Sequence, residues 1–290
     1  MELEFKVTDN NYHTVKEILK AYYQISDRLL TKLKKDNRIF LNDKSVYVTE
    51  KVSIGDILKV NMNFEETSDN IVPTEMNLEI VFEDEYFLII NKPANIPVHP
   101  SCNHYENSLS NGVKYYFDSI NLKRKIRPIN RLDKDTSGLV IFAKNEYIQE
   151  ALIKQMKSNV FKKEYIAILE GTLSQTSGTI NAPIARKSGS IMEREISENG
   201  EVAISHFELI KNFEDYSIVK YTLETGRTHQ LRVHSKHIGH PILGDTLYGS
   251  QSDLINRQAL HAYKINFVHP ITKQDMKLEI NLPEDMKKLI

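Results

Sequence analysis

Apolar residues recur along this chain with two different periods, and the change of period marks out its elements. In "HTVKEILKAYY", Val15, Ile18, Leu19 and Tyr22 fall on one helical face, and Thr14 with Glu17 forms a capping-box pattern. "SDRLLTKLKKD" predicts a second helix capped by Ser26. Leu29, Leu30 and Leu33 face inward there, and Arg28, Lys32, Lys34 and Lys35 face solvent. "RIFLNDKSVYV" alternates about an Asn42-Asp43 turn, a hairpin pattern, and "DILKVNM" adds a strand after Gly55. Residues 1–63 thus read as a small α/β unit. Residues 64–77, with turn formers, acids and a proline, have the composition of a linker and are expected to act as an acidic spacer.

From residue 78 to 290 a period of two dominates. "NLEIVFEDEYFLIINKP" reads as two strands around an acidic turn, and "GLVIFAKN", "FKKEYIAILEG", "EVAISHFELI" and "DYSIVKYTLETG" read as further strands. Two helices interrupt them. "NEYIQEALIKQMKSN" is capped by Asn145, and "THQLRVHSKHIG" has Thr228 as N-cap and Gly239 just past its end. No regular βαβ rhythm appears, so the larger unit is expected to be α+β, with a mixed, largely antiparallel sheet.

Composition narrows the function classes. The chain has 290 residues, 40% of them apolar, enough for a real core. The amino-terminal stretch lacks the apolar run of a signal peptide, and no segment has the roughly 18 consecutive apolar residues of a membrane span. A single cysteine, Cys102, excludes an internal disulfide and a cysteine-rich zinc site and fits a reducing cytoplasm. These features indicate a cytoplasmic protein, and with no evident pairing element a monomer is expected. The net charge of −1 argues against a polyanionic partner only as an average. Residues 61–86 carry eight acids and no Lys or Arg, whereas residues 122–134 carry six bases and one acid, Asp133. Such segregation suits a nucleic-acid partner better than the total does.

The candidate chemistry lies in "RPINRLDKDTSGLVIFAKN". Asp133 follows an Arg-Leu pair there and precedes a Thr-Ser-Gly turn and a strand expected to be buried. "NRLDKDTSGLVIFAK" resembles the catalytic motif of the RluA-type pseudouridine synthases. "LETGRTHQLRVHSKHIGHPILGDTLYG" is similar to that family's arginine motif. "EDEYFLIINKPANIPVHP", "KKEYIAILEG" and "ALHAYKINFVHPIT" resemble its first, tyrosine and closing motifs. Residues 1–63 resemble the S-four RNA-binding domain through "ISDRLLTKLKKDNRIFLNDKSV" and "SIGDILKV", which implies RNA contacts from Arg28, Lys32 and Lys35.

The resemblance implies isomerisation of uridine to pseudouridine in structured RNA. No atoms or electrons enter or leave, so no cofactor or metal is required. Asp133 is the implied catalytic carboxylate, acting at the sugar or at the ring much as glycosidase carboxylates act. A carboxylate enclosed under a base needs a fixed cation to stay ionised, and the resemblance assigns Arg232 as its salt-bridge partner, a role that suits an always-charged, fork-shaped side chain. It implies that Tyr165 stacks on the extruded uracil, that Arg131 contacts the RNA or fills the gap left by the base, and that Arg227 contacts the substrate. Large-subunit ribosomal RNA is the expected substrate and transfer RNA the alternative. Asn130 stands where the family usually has His, and Asn95 where it usually has Gly. Lys92, His99, Lys144, Gly226 and Gly244 match motif positions that read as scaffold. Three rival readings are a zinc hydrolase on His229, His234, His237 and His240, a non-catalytic ribosome assembly factor, and an N-glycosidase for free nucleosides. The histidine spacing lacks the i, i+4 zinc pattern, and Asp245 comes too late to complete it.

Overall fold

The computed structural model describes residues 1–101 and 105–290, so Cys102 lies outside the described residues. Residues 1–63 form β1 (Glu2–Lys6), α1 (Val15–Glu17), α2 (Asp27–Lys35), β2 (Ile39–Leu41), β3 (Lys44–Ser45) and β4 (Ile57–Asn61). Their strands pair in the order β1-β4-β2-β3. Asn42 and Asp43 turn the hairpin in left-handed backbone, with φ of 51° and 62°. Ser26 caps α2 as expected, accepting from Leu29 N at 3.2 Å.

The first helix departs from its pattern. After α1 the backbone widens into a π-helix over Ile18–Tyr22, with Tyr23 N bonding back to Ile18 O at 3.1 Å. That i to i+5 bond rotates Tyr22 off the apolar stripe and leaves it 54% exposed, not buried as its spacing suggested. Thr14 caps as the sequence implied, accepting from Glu17 N at 3.3 Å, while the Glu17 carboxylate accepts from His13 N at 2.7 Å, one residue before the N-cap.

Among the described residues, a second sheet of nine strands spans the rest of the chain. It contains β5 (Ile80–Glu83), β6 (Phe87–Lys92), β7 (Ser137–Ala143), β8 (Lys162–Glu170) and β9 (Ser177–Asn181). A separate two-stranded ribbon follows, β10 (Ile184–Arg186) with β11 (Arg194–Ile196). The large sheet then continues with β12 (Ile204–Asn212), β13 (Tyr216–Leu223), β14 (Leu260–Val268) and β15 (Asp275–Glu279). The order is β5-β6-β7-β14-β8-β13-β12-β9, with β15 on β14. Among the described residues only β7 and β14 run parallel, so the sheet is mixed and largely antiparallel. Among the described residues four helices accompany it: α3 (Leu109–Ser119), α4 (Glu146–Lys157), α5 (Gln230–His237) and α6 (Glu284–Lys287).

β7 is buried along its whole length, and its alternating side chains feed two cores. Val140 and Phe142 join Leu88, Ile90, Val113 and Phe117. Leu139 and Ile141 join Phe87 and Ile89 in a cluster continuous with Leu19, Leu29, Leu33 and Val60 of the amino-terminal unit. This unit is therefore packed against the large sheet, and polar contacts reinforce the seam. Tyr147 donates to Tyr23 O at 3.2 Å, and Ser26 donates to Glu150 at 2.7 Å.

Residues 64–77 are not the free spacer expected from their composition. Phe64, Ser68 and Ile71 are buried, and Glu66 bridges Lys32 of α2 at 2.9 Å and Arg127 at 2.6 Å. Glu65 reaches Lys123 at 3.3 Å. The acidic and basic segments thus partly neutralise each other in space, because two linear charge runs that fold together are each other's nearest counter-ions. Lys32, expected to face solvent, is turned inward over the Phe64 ring at 3.8 Å. Burial works against the Glu66 carboxylate, but Lys32 and Arg127 outweigh it and hold the group below the ordinary glutamate range. A depressed carboxyl contributes stability above its unfolded value and loses it as the pH falls through the folded one. Wild-type protein should therefore lose more stability between about pH 6 and about pH 3 than Glu66→Gln. Equal losses in urea titrations at the two pH values would show that the bridge does not hold the seam.

Candidate active site

Asp133 lies in the loop between the basic segment and β7, and that loop is fixed on every side. Asn130, where a His was expected, is buried and imitates a strand. Its side chain accepts from Ile141 N at 3.0 Å and donates to Leu139 O at 2.9 Å. Thr136 N closes the turn onto Asp133 O at 3.1 Å. Beneath the turn, the Lys92 ammonium donates to the carbonyls of Lys134, Pro93 and Ile96 at 2.9, 2.8 and 2.7 Å. Burial pushes the Lys92 pKa down to about 7, against the opposing charges of Asp135 and Asp133. Arg257 donates to Asp135 O at 3.1 Å while its fork grips Asp285. Gly138 passes so close to β14 that a Cβ there would lie 2.3 Å from Ala262 O. Asn95, standing in for a glycine, takes the left-handed turn itself at φ 67°. Such a loop holds a carboxylate in one place.

Asn130→Ala would leave a buried carbonyl and a buried N–H without partners. It should lower the unfolding free energy by about 2–3 kcal/mol. Urea denaturation checks this, and a change under about 0.5 kcal/mol would show that Asn130 does not pin the loop.

Arg232 comes from α5. The N-cap is His229, at φ 57°, and not Thr228 as the sequence suggested. Gln230 fixes this start. Its carbonyl oxygen accepts from Arg227 N and the Thr225 hydroxyl, and its amide donates to Ile204 O and Ser205 Oγ. Arg232 is the salt-bridge partner of Asp133 that the resemblance implied, but through one nitrogen, because its fork is turned to a second carboxylate. Nε and Nη2 bind Asp245 at 2.7 and 2.8 Å, leaving Nη1 to reach Asp133 Oδ2 at 3.3 Å. Asp245 is wholly buried and also accepts from Leu247 N and Tyr248 N, so it is the anchor that aims the guanidinium at Asp133.

His229 stands on the other side of Asp133, with Nε2 4.0 Å from Oδ1. Its Nδ1 lies 2.8 Å from the Tyr248 hydroxyl, whose oxygen accepts from Arg194 N at 2.7 Å. The Tyr248 hydroxyl thus holds the imidazole by Nδ1 and turns its Nε2 edge toward Asp133. Burial, the largest influence, holds His229 below the ordinary histidine range despite the nearby carboxylate.

Asp133, His229 and Arg232 open into a cleft of about 550 Å³ that Arg131, Tyr165, Arg227, Leu231 and Leu260 also line. Tyr165 is buried on β8, and burial followed by the charge of Asp133 pushes its phenol well above the ordinary range. Arg131 is exposed at the cleft, with no ion pair among the described residues. Arg227 is tied to Glu201 at 2.5 Å and to Val202 O at 2.9 Å. Asp133, Arg232, Tyr165, Arg131 and Arg227 are thus brought together. Arg28, Lys32 and Lys35 lie on α2 of the amino-terminal unit and do not line this cleft. Arg28 pairs with Glu146 at 3.1 Å, Lys32 with Glu66, and Lys35 is exposed.

Sequence reasoning missed Asp245, His229 and Tyr248 as parts of the site. The available signal was their place inside the arginine motif, where Asp245 follows Gly244, a left-handed turn at φ 75°. The four histidines of the zinc reading do not share a site. His234 is engaged by Ser205 and Ala182 O, and among the described residues no three His, Cys, Asp or Glu side chains cluster to hold a metal.

Comparison with known proteins shows what the chain is similar to. The family model described as RNA pseudouridylate synthase matches residues 86–237. The Bacillus subtilis (strain 168) protein named "Uncharacterized RNA pseudouridine synthase YjbO" is 38% identical over 92% of this chain and 94% of its own length. The "Ribosomal large subunit pseudouridine synthase D" of Blochmanniella floridana is 34% identical over 86% of this chain and 84% of its own. The solved structure titled "Human RNA Pseudouridylate Synthase Domain Containing 1" superposes with a TM-score of 0.60 at 27% identity, covering 71% of this chain and 84% of the human one.

Proposed function

Because the chain belongs to the RNA pseudouridylate synthase family, we propose that it isomerises uridines of large-subunit ribosomal RNA, with Asp133 acting at an extruded nucleoside. The observation that carries the mechanism is the convergence of Asp133, Arg232 and Tyr165 on one cleft. The reaction breaks the N1–C1′ bond, turns the base and forms a C5–C1′ bond. The proton on C5 leaves and N1 gains one, so substrate and product are isomers. Asp133 supplies negative charge as the sugar becomes electron-poor, and Arg232 with His229 keeps its two oxygens oriented. Tyr165 offers a ring face for the swung-out uracil, whose extrusion costs a few kcal/mol. Arg131, exposed at the rim, contacts the RNA left behind.

The ribosomal substrate is supported by the names of relatives at 31–38% identity. In the test, large-subunit ribosomal RNA is transcribed with tritium at uridine C5 and incubated with the protein. Isomerisation releases tritium to water, whereas label that stays on the RNA would refute the reading.

Residues 1–63 act in this proposal as an S-four-like RNA-binding module. Lys34 and Lys35, exposed on α2, have no ion pair among the described residues, whereas Arg28 and Lys32 of the same helix pair with Glu146 and Glu66. The double variant Lys34→Glu, Lys35→Glu should weaken binding of that transcript and flatten its salt dependence. Unchanged affinity at low and high salt would count against the module. Removing residues 1–63 is a poorer test, because it would strip the apolar face of Phe87, Ile89, Leu139 and Ile141.

A further inference from the structure

Lys163 lies on β8 two residues before Tyr165, so both side chains leave the strand on the same face, about 6–7 Å apart along it. It is 9% exposed and lines the cleft with Tyr165 and Asp133. Its ammonium has no ion pair and no hydrogen-bond acceptor among the described residues. The neighbouring Glu164 points to the opposite face, where it accepts from Tyr263 at 2.9 Å. The connection from β13 to α5 packs over the ammonium, and a Cβ on Gly226 would lie 3.0 Å from Nζ. The glycine keeps that space open.

A nearly buried cation without a partner is costly, and this cost appears as a pKa pushed down to about 8 by burial. The other ionisable groups of the cleft wall include Asp133, Lys157, Tyr165, Glu224, Arg227 and His229. None of them comes within ion-pair distance of Lys163, so the ammonium faces the cleft without a counter-charge from the described residues. We propose that Lys163 is a substrate-binding residue that receives an RNA phosphate flanking the uridine stacked on Tyr165. This rests on the RNA-modifying reading of the cleft and adds to it a residue that fixes where the backbone runs. A phosphate bound there restores the charge balance of the wall. Binding then draws a proton onto the lysine whenever the solution lies at or above the pKa of the free side chain.

The test measures binding and chemistry separately on the C5-tritiated large-subunit transcript. Filter retention gives affinity and its salt dependence, and tritium release gives turnover. Lys163→Met, which fills the same volume without charge, should bind about tenfold more weakly. Its slope of log affinity against log salt should be shallower by about 0.7–0.9, one phosphate contact. Lys163→Arg should recover both and, staying charged, should lose the fall in affinity that wild type shows as pH rises from about 7 to about 9. Thermal unfolding of both variants separates these effects from misfolding. Wild-type affinity and slope in Lys163→Met overturn the assignment, as does a loss confined to turnover. Because the binding arm does not depend on turnover, a wild-type protein that binds but releases no tritium counts against the catalytic reading alone.

Discussion

Asp133→Asn is expected to isomerise uridine at less than about one per cent of the wild-type rate, a loss of at least about 2.7 kcal/mol of transition-state stabilisation. The amide keeps the shape of the carboxylate and can still accept from Arg232 Nη1, which approaches at 3.3 Å. The loop should stay in place, because its restraints come from Asn130, Lys92 and Arg257 and not from the Asp133 side chain. What disappears is the negative charge facing the sugar. Affinity for the RNA should therefore be almost unchanged, and removing a negative charge from a phosphate-binding surface could only tighten it. Single-turnover tritium release at saturating protein isolates the chemical step. Residual turnover above about one per cent would falsify the assignment of Asp133 to that step.

Arg232→Met should cost both folding and chemistry, by different routes. Asp245 is wholly buried, and besides two backbone N–H groups the Arg232 guanidinium is its partner and its counter-charge among the described residues. Removing one member of such a pair strands a charge in the interior, which typically costs about 3–5 kcal/mol. The variant should unfold at a distinctly lower urea concentration, and what remains folded should turn over slowly, since Asp133 has lost its cation. Arg232→Lys separates the two effects. One ammonium can satisfy Asp245 or reach toward Asp133, but it cannot fork between them. Stability should therefore fall less than in the Met variant while turnover stays low. If Arg232→Met unfolds at the wild-type urea concentration, the Asp245 anchor does not have the structural weight given to it.

These two residues also show how far the sequence could be read. Asp133 and Arg232 were singled out as a pair by the resemblance of their motifs, whereas the buried strand after Asp133 was legible because its signal is local, a turn followed by an apolar run. The hairpin at Asn42-Asp43 and the Ser26 and Asn145 caps were legible for the same reason, since each depends on neighbours within four positions. The partner of the Arg232 fork was not. Asp245 lies 13 positions away, past the end of the helix, and nothing in its own neighbourhood shows that it is buried. Glu66 is a stronger case, because its partner Arg127 is 61 positions away and composition alone reads such a segment as solvated. Helix α3 escaped notice because its Ser, Asn and Gly are poor helix formers on their own. Asn111 compensates, accepting from Ser108 N and donating to Val72 O and Tyr105 O. β1 escaped because five residues with one alternation carry little signal until β4 pairs with them.

The central claim is tested most directly by mapping pseudouridines in large-subunit ribosomal RNA from cells that lack the gene. Two complemented strains are compared, one supplying the wild-type protein and the other Asp133→Asn. One or more positions should be uridine in the deletion strain, pseudouridine after wild-type complementation, and uridine again with the variant. A map in which no position depends on the gene, or in which the variant restores them all, would contradict it.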